Sequence, residues 1–182
     1  PVLNEEENIL KIFNKIKTLK IKFDLLFIDD NSTDNTRKKI FELKKKNKNI
    51  FYILRKYKKG IGSAHKAGIQ WCYKKKYSKI ITMDCDGTHN PNYIKKLLAM
   101  SKLYDLVITT RFKDKDSLKD WPLSRKFLTI LRLIVTKIIL NINYDSSGAY
   151  RCFCTKKIML KDILSIKSNN YDFFFESIYK LN

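Results

Sequence analysis

The chain has 182 residues, 44% hydrophobic and 31% charged, with only 5 Gly and 3 Pro; this supports one packed core and excludes a disordered or fibrous polymer. Lys and Arg number 38 against 18 Asp and Glu, a net charge of +20. Arginine occurs only at 37, 55, 111, 125, 132 and 151, and lysine fills almost every polar stretch, so the charge reads as a residue bias and no nucleic-acid partner is expected. An anionic membrane surface or a phosphorylated substrate suits the charge equally well.

In chain order, Pro1 opens a loop-like segment, and the chain is expected to be a single domain over 1–182 that lacks its first strand and its C-terminal end. The short apolar run at 24–29 predicts a strand ending on acids. A helix over 35–47, a strand over 50–54, a helix over 62–75 and a strand over 79–84 follow. Pro91 suits a first helical turn and opens a helix to about residue 102, before a strand over 105–110. This alternation predicts an α/β fold, a mostly parallel sheet with helices on both faces. Cys72, Cys85, Cys152 and Cys154 show no CxxC spacing, so reduced thiols and no zinc site are expected. No apolar run is long enough to span a bilayer.

Ligands of such sheets lie beyond the carboxyl ends of the strands. Asp29-Asp30, Asp84-Cys-Asp86 and Thr110-Arg111 stand at those ends. Asp34 serves as a cap for the helix that follows it. Alternate residues of a strand point the same way, so Asp84 and Asp86 can reach one hard cation, Mg²⁺ or Mn²⁺, whose remaining shell is phosphate and water. Thr88 adds a hydroxyl to that set, and His89 supports it from behind. The segment Lys59-Gly-Ile-Gly62 opens a helix whose N–H groups can face an anion, although it is neither a dinucleotide fingerprint nor a P-loop.

Seven segments in order resemble glycosyltransferase family 2, and within it the dolichyl/polyprenyl-phosphate mannosyltransferases. They are Pro1-Val-Leu-Asn-Glu5-Glu-Glu-Asn8, Ile28-Asp-Asp-Asn-Ser-Thr-Asp34, Lys59-Gly-Ile-Gly-Ser-Ala64, Met83-Asp-Cys-Asp-Gly-Thr-His-Asn-Pro91, Thr110-Arg-Phe112, Trp121-Pro-Leu-Ser-Arg-Lys126 and Asp145-Ser-Ser-Gly-Ala-Tyr-Arg151. The resemblance implies a GT-A fold, a Rossmann-like nucleotide-sugar-binding domain. It also implies inverting transfer from GDP-mannose to dolichyl or polyprenyl phosphate on the cytoplasmic face of a membrane, with the protein peripheral. On this likeness Glu5, Asp29 and Asp30 hold the nucleoside, beside Pro1 and Leu3 of the first motif and Gly60 and Gly62 of the turn. Leu3 stands where the family carries an aromatic residue. Asp84, Asp86 and Thr88 hold the metal; Arg111 and Arg125 meet the phosphates and, with Asp86, form the catalytic set. Ser147, Gly148 and Arg151 fall in the acceptor-side motif, and Glu176 lies near a recurring acid.

A phosphate acceptor is already ionised at neutral pH, which fits a chain with no candidate histidine base. The apolar stretch over 123–140 reads either as a core helix or as an interfacial helix that meets lipid. Two alternatives stay open. One is a family 2 enzyme that uses a UDP-sugar of glucose or an amino sugar; the other is a non-catalytic basic protein that binds nucleic acid or membrane.

Overall fold

A computed structural model describes residues 1–110, 122–140, 142 and 145–181, and within 123–140 the side chains at 125, 126, 132, 139 and 140 lie outside the description. Arg111 and Trp121 therefore fall outside the described residues, as does the side chain of Arg125.

The N-terminal segment is not all loop. Helix α1 (Asn8–Lys17) buries Ile9, Ile12, Phe13 and Ile16, the spacing of one helical face. Strand β1 (Leu25–Asp29) runs parallel to β2 (Ile50–Leu54), with Leu25 opposite Ile50 and Asp29 opposite Leu54, and α2 (Thr36–Lys46) joins them. Helix α3 (Ile61–Lys74) leads to β3 (Lys79–Thr82), and α4 (Tyr93–Met100) leads to β4 (Leu106–Ile108). After α5 (Leu123–Leu140) come β5 (Arg151–Cys154), α6 (Leu160–Leu164) and α7 (Asp172–Leu181).

The fold is the expected α/β architecture with helices on both faces. Phe27 of β1 and Cys152 of β5 enter a core with Ile9, Ile40 and Leu97 from α1, α2 and α4. On the other face Ile80 and Phe153 pack with Ile69, Ile163 and Phe173 from α3, α6 and α7. Alternation along each strand feeds both layers.

Two features depart from the sequence reading. Strand β5 is antiparallel and lies between β3 and β4, so the later part of the sheet is mixed. The β1-β2 pair and the β3-β5-β4 sheet share no strand pairing among the described residues. A cavity of about 140 Å³ separates them, walled by Leu26 and Ile28 on one side, Ile81 on the other and Ile69 of α3. Val2 supplies one rung beside β1, donating to Ile28 O (2.9 Å) and accepting from Asp30 N (3.0 Å).

Candidate functional site

That rung sets the N-terminal turn against the end of β1. Pro1 and Val2 line the same cavity as Asp84 and Cys85, so the N-terminal segment and the residues after β3 share one sheet edge. Glu5 Oε2 accepts a bond from Asn8 Nδ2 (2.6 Å). Leu3 is exposed at this edge.

Asp29 and Asp30 stand at this edge with their carboxylates already engaged. Asp29 is fully buried, paired with Arg37 Nε at 2.6 Å and capping Ser32 N at 3.3 Å. Asp30 pairs with Arg55 Nη1 at 2.8 Å and accepts the N–H groups of Lys59 (3.0 Å) and Gly60 (3.1 Å). Arg55 Nη2 continues to Ser63 Oγ (2.6 Å). Both acids therefore act first as structural pins, since a buried carboxylate requires a cation and donors. Sequence reading passed over Arg37 and Arg55; their scarcity in a lysine-rich chain was the available signal, because bidentate and buried pairs favour arginine.

The glycine turn also has a packing explanation. Gly60 takes φ +88°, and a Cβ there would lie 2.5 Å from Asn169 O. At Gly62 a Cβ would lie 2.4 Å from Phe173 Cβ. Ser63 N donates to Asn169 O at 3.0 Å, so the first turn of α3 is capped by protein backbone there. Of the helix-start N–H groups expected to face an anion, that of Ser63 is thus taken by the loop at 169–170.

Strand β3 ends at Thr82, so Asp84 and Asp86 lie on the bend beyond it. The in–out alternation continues all the same. Cys85 is buried in the core, with burial pushing its thiol up to about 12, while Asp84 is half-buried and Asp86 exposed. Asp86 Oδ1 accepts both Thr88 N (3.0 Å) and Thr88 Oγ1 (2.7 Å), bringing two of the three expected ligand residues together across Gly87 at φ +86°. His89 Nδ1 accepts the Asp84 N–H at 2.9 Å, the supporting position expected of it. The described residues hold no group of three or more His, Cys, Asp or Glu set to bind a metal. Two hard carboxylates and a hydroxyl suit a cation that arrives with a diphosphate better than one held by protein alone.

The acceptor-side motif reaches this bend because β5 is antiparallel: it begins where β3 and β4 end. Thr82 Oγ1 donates to Ala149 O (2.7 Å) and Thr109 N to Tyr150 O (3.1 Å), tying the loop to both strand ends. Asp145 Oδ1 accepts Ser147 N and Ser147 Oγ, and Gly148 passes close enough that a Cβ would sit 3.2 Å from Thr109 O. Arg151 does not project into the site. Its side chain is 1% exposed and donates to Gly148 O (2.6 Å), Ser146 O (3.0 Å), Phe174 O (2.9 Å) and Ser177 Oγ (2.7 Å). It holds the loop from beneath. Glu176 likewise caps backbone, accepting Ser168 N (2.8 Å) and Lys167 N (2.9 Å).

Helix α5 turns Leu123, Phe127, Leu128, Ile130, Ile134 and Ile138 to solvent while Thr129 and Thr136 are buried. Among the described residues no helix is long and apolar enough to cross a membrane.

Residues 1–164 match Glycosyl transferase family 2. The chain is 28% identical over 174 residues to an undecaprenyl-phosphate mannosyltransferase of Micrococcus luteus, covering 95% of this chain and 72% of that protein. It is 28% identical over 176 residues to a polyprenol monophosphomannose synthase of Mycolicibacterium smegmatis, covering 95% and 66%. An uncharacterised protein of Methanocaldococcus jannaschii is 35% identical over 140 residues, covering 76% and 59%.

Proposed function

We propose that this chain, which belongs to glycosyl transferase family 2, moves mannose from GDP-mannose to a polyprenyl phosphate at a membrane surface. The observation that carries the reading is the junction of the 145–150 loop with both flanks of the carboxylate bend, through Thr82 on Ala149 O before it and through His89 and Asn90 on Tyr150 after it. A carboxylate pair suited to a metal-bound diphosphate is thereby held beside the motif that the resemblance assigns to the acceptor. The names of the two bacterial relatives supply the substrate class.

In the proposed step an oxygen of the acceptor phosphate bonds to the anomeric carbon as the bond from that carbon to the diphosphate breaks, with inversion. The acceptor needs no base, so the residues act by alignment and charge. Asp84, Asp86 and Thr88 would hold Mg²⁺ or Mn²⁺, which when bound neutralises charge on the departing diphosphate. Glu5 borders the nucleoside, with Asp29 and Asp30 fixing the strand end behind it. Arg111 and Arg125 would gather the donor and acceptor phosphates, the task guanidinium groups suit best.

The membrane part of the reading rests on α5. A helix that buries threonines and exposes leucine, isoleucine and phenylalanine is inside-out for water and suited to the acyl boundary. Lys137 and the net charge of +20 suit anionic head groups. Such a helix would bring the protein to a lipid whose phosphate stays at the interface.

Calorimetric titration with GDP, UDP and GDP-mannose, in Mn²⁺ and then in chelator, tests the proposal. Metal-dependent preference for GDP, followed by mannosyl transfer to polyprenyl phosphate, is the expected result. Preference for UDP would move the reading to a glucosyl or amino-sugar transferase, and binding of neither nucleotide would refute it.

A further inference from the structure

Two ring side chains outside the proposed ligand set join its donor half to its acceptor half. The backbone N–H of Asp84 can only donate, so the His89 Nδ1 that receives it at 2.9 Å carries a lone pair. The imidazole then lies against Tyr150, with ring centroids 5.0 Å apart and planes 24° from parallel. Tyr150 is 2% exposed, and its hydroxyl donates to Asn90 O at 3.1 Å. Its own carbonyl accepts from Thr109, so it is anchored to the end of β4 as well. The bend over 84–90 is thus gripped at its start through His89 and at its finish through Tyr150. Tyr150 itself directly follows Ser147, Gly148 and Ala149.

We propose that His89 and Tyr150 are positioning residues that hold the carboxylate bend in register with the acceptor-side loop. The hydrogen bond from Asp84 N to His89 fixes where the Asp84 carboxylate starts from, and the stack ties that bond to the loop. Neither side chain touches reacting atoms. The inference rests on the reading of Asp84 and Asp86 as metal carboxylates.

Three substitutions separate the contacts. His89→Phe keeps a ring against Tyr150 and removes the acceptor. His89→Asn restores an acceptor near the Nδ1 position without the stacked ring. Tyr150→Phe keeps the stack and removes the bond to Asn90. The measurement is Mn²⁺ affinity in the presence of GDP, by calorimetry, with thermal melting alongside. Supporting partners of metal ligands typically carry about 10–100-fold in affinity. His89→Phe is expected to lose that much, and His89→Asn to recover most of the Mn²⁺ affinity while raising the acceptor KM, because the stack that ties the bend to the loop is gone. Tyr150→Phe is expected to raise the acceptor KM more than it weakens Mn²⁺ binding. Equal Mn²⁺ affinity in the parent and His89→Phe overturns the proposal. Equal loss in both His89 variants also overturns it, since packing alone then accounts for the effect. A parent protein that binds no Mn²⁺ with GDP defeats the metal reading and this inference with it, an outcome distinct from a parent that binds and a variant that is indifferent.

Discussion

Replacing Arg151 by methionine separates a structural guanidinium from a ligand-binding one. Methionine keeps an unbranched stem and removes every donor. Ser177 Oγ still donates to Phe174 O at 2.9 Å, so that carbonyl keeps a partner. The carbonyls of Gly148 and Ser146 lose bonds of 2.6 and 3.0 Å beneath a loop with almost no solvent access. Each buried carbonyl left without a donor costs about 1–3 kcal/mol. No longer burying a cation offsets part of that, leaving a net loss of about 3 kcal/mol. For a chain of this size the melting point should fall by about 6–12 °C. Far-UV circular dichroism reads the melt, and a parallel acceptor titration reads function in whatever remains folded. An unchanged melting point with a raised acceptor KM would refute the structural assignment and place the guanidinium on ligand.

Other expectations follow from the same geometry. Arg55→Met leaves Asp30 buried beside two backbone donors and no cation from this pair, and should cost about 3 kcal/mol in urea unfolding; adding Asp30→Asn should recover part of it, and strict additivity of the two losses would contradict the pairing. Gly62→Ala pushes a methyl to 2.4 Å from Phe173 Cβ and 2.7 Å from Asn170 O, so a destabilisation of about 1–3 kcal/mol is expected in the same assay. Glu176 is held down to about 2 by its bonds from Ser168 and Lys167, below the ordinary 4.5. Its folded value lies below its unfolded one, so its stabilising contribution is complete above about pH 4.5 and disappears as the pH falls towards 2; Glu176→Gln should flatten the acid limb of a stability–pH curve over that window. Asp86→Ala should abolish Mn²⁺-dependent GDP binding while leaving the melting point near that of the parent, and retained metal-dependent binding would contradict the site.

The alternation of strands and helices was legible because each apolar run from residue 24 to 110 is short and bounded by polar turns. The expected ends were off by one or two residues wherever a bend continues an extended direction, as after Thr82. Helix α1 was equally legible, its Ile9, Ile12, Phe13 and Ile16 recurring at the i, i+3, i+4, i+7 spacing of one helical face, although it stands in a segment that opens as a loop at Pro1. Strand β5 was not. Arg-Cys-Phe-Cys is buried at every position, so it shows no alternation, and its partners lie about 45 to 75 residues away in sequence, beyond any local pattern. In the site, motif spacing marked Asp84, Asp86 and Thr88 as neighbours, and the fold places them on one bend. It could not separate Arg151, which supports its loop from below, from the serine and glycine above it. That difference arises when α7 packs against β5 and brings Ser177 and Phe174 to the guanidinium.

The division of the sheet changes what a bound nucleotide would do to the molecule as a whole. Asp30 and Glu5 belong to the half built on β1 and β2, Asp84 and Asp86 to the half built on β3, β5 and β4. The Val2 rung lies within the first half, and the two halves are joined by α3 and by the shared core of Phe27, Ile9, Ile40, Leu97 and Cys152 in place of strand pairing. A donor touching both edges would act as a staple across the seam. It would add polar links along a seam that apolar packing alone now spans, besides the mass-action gain that any ligand of the native state brings.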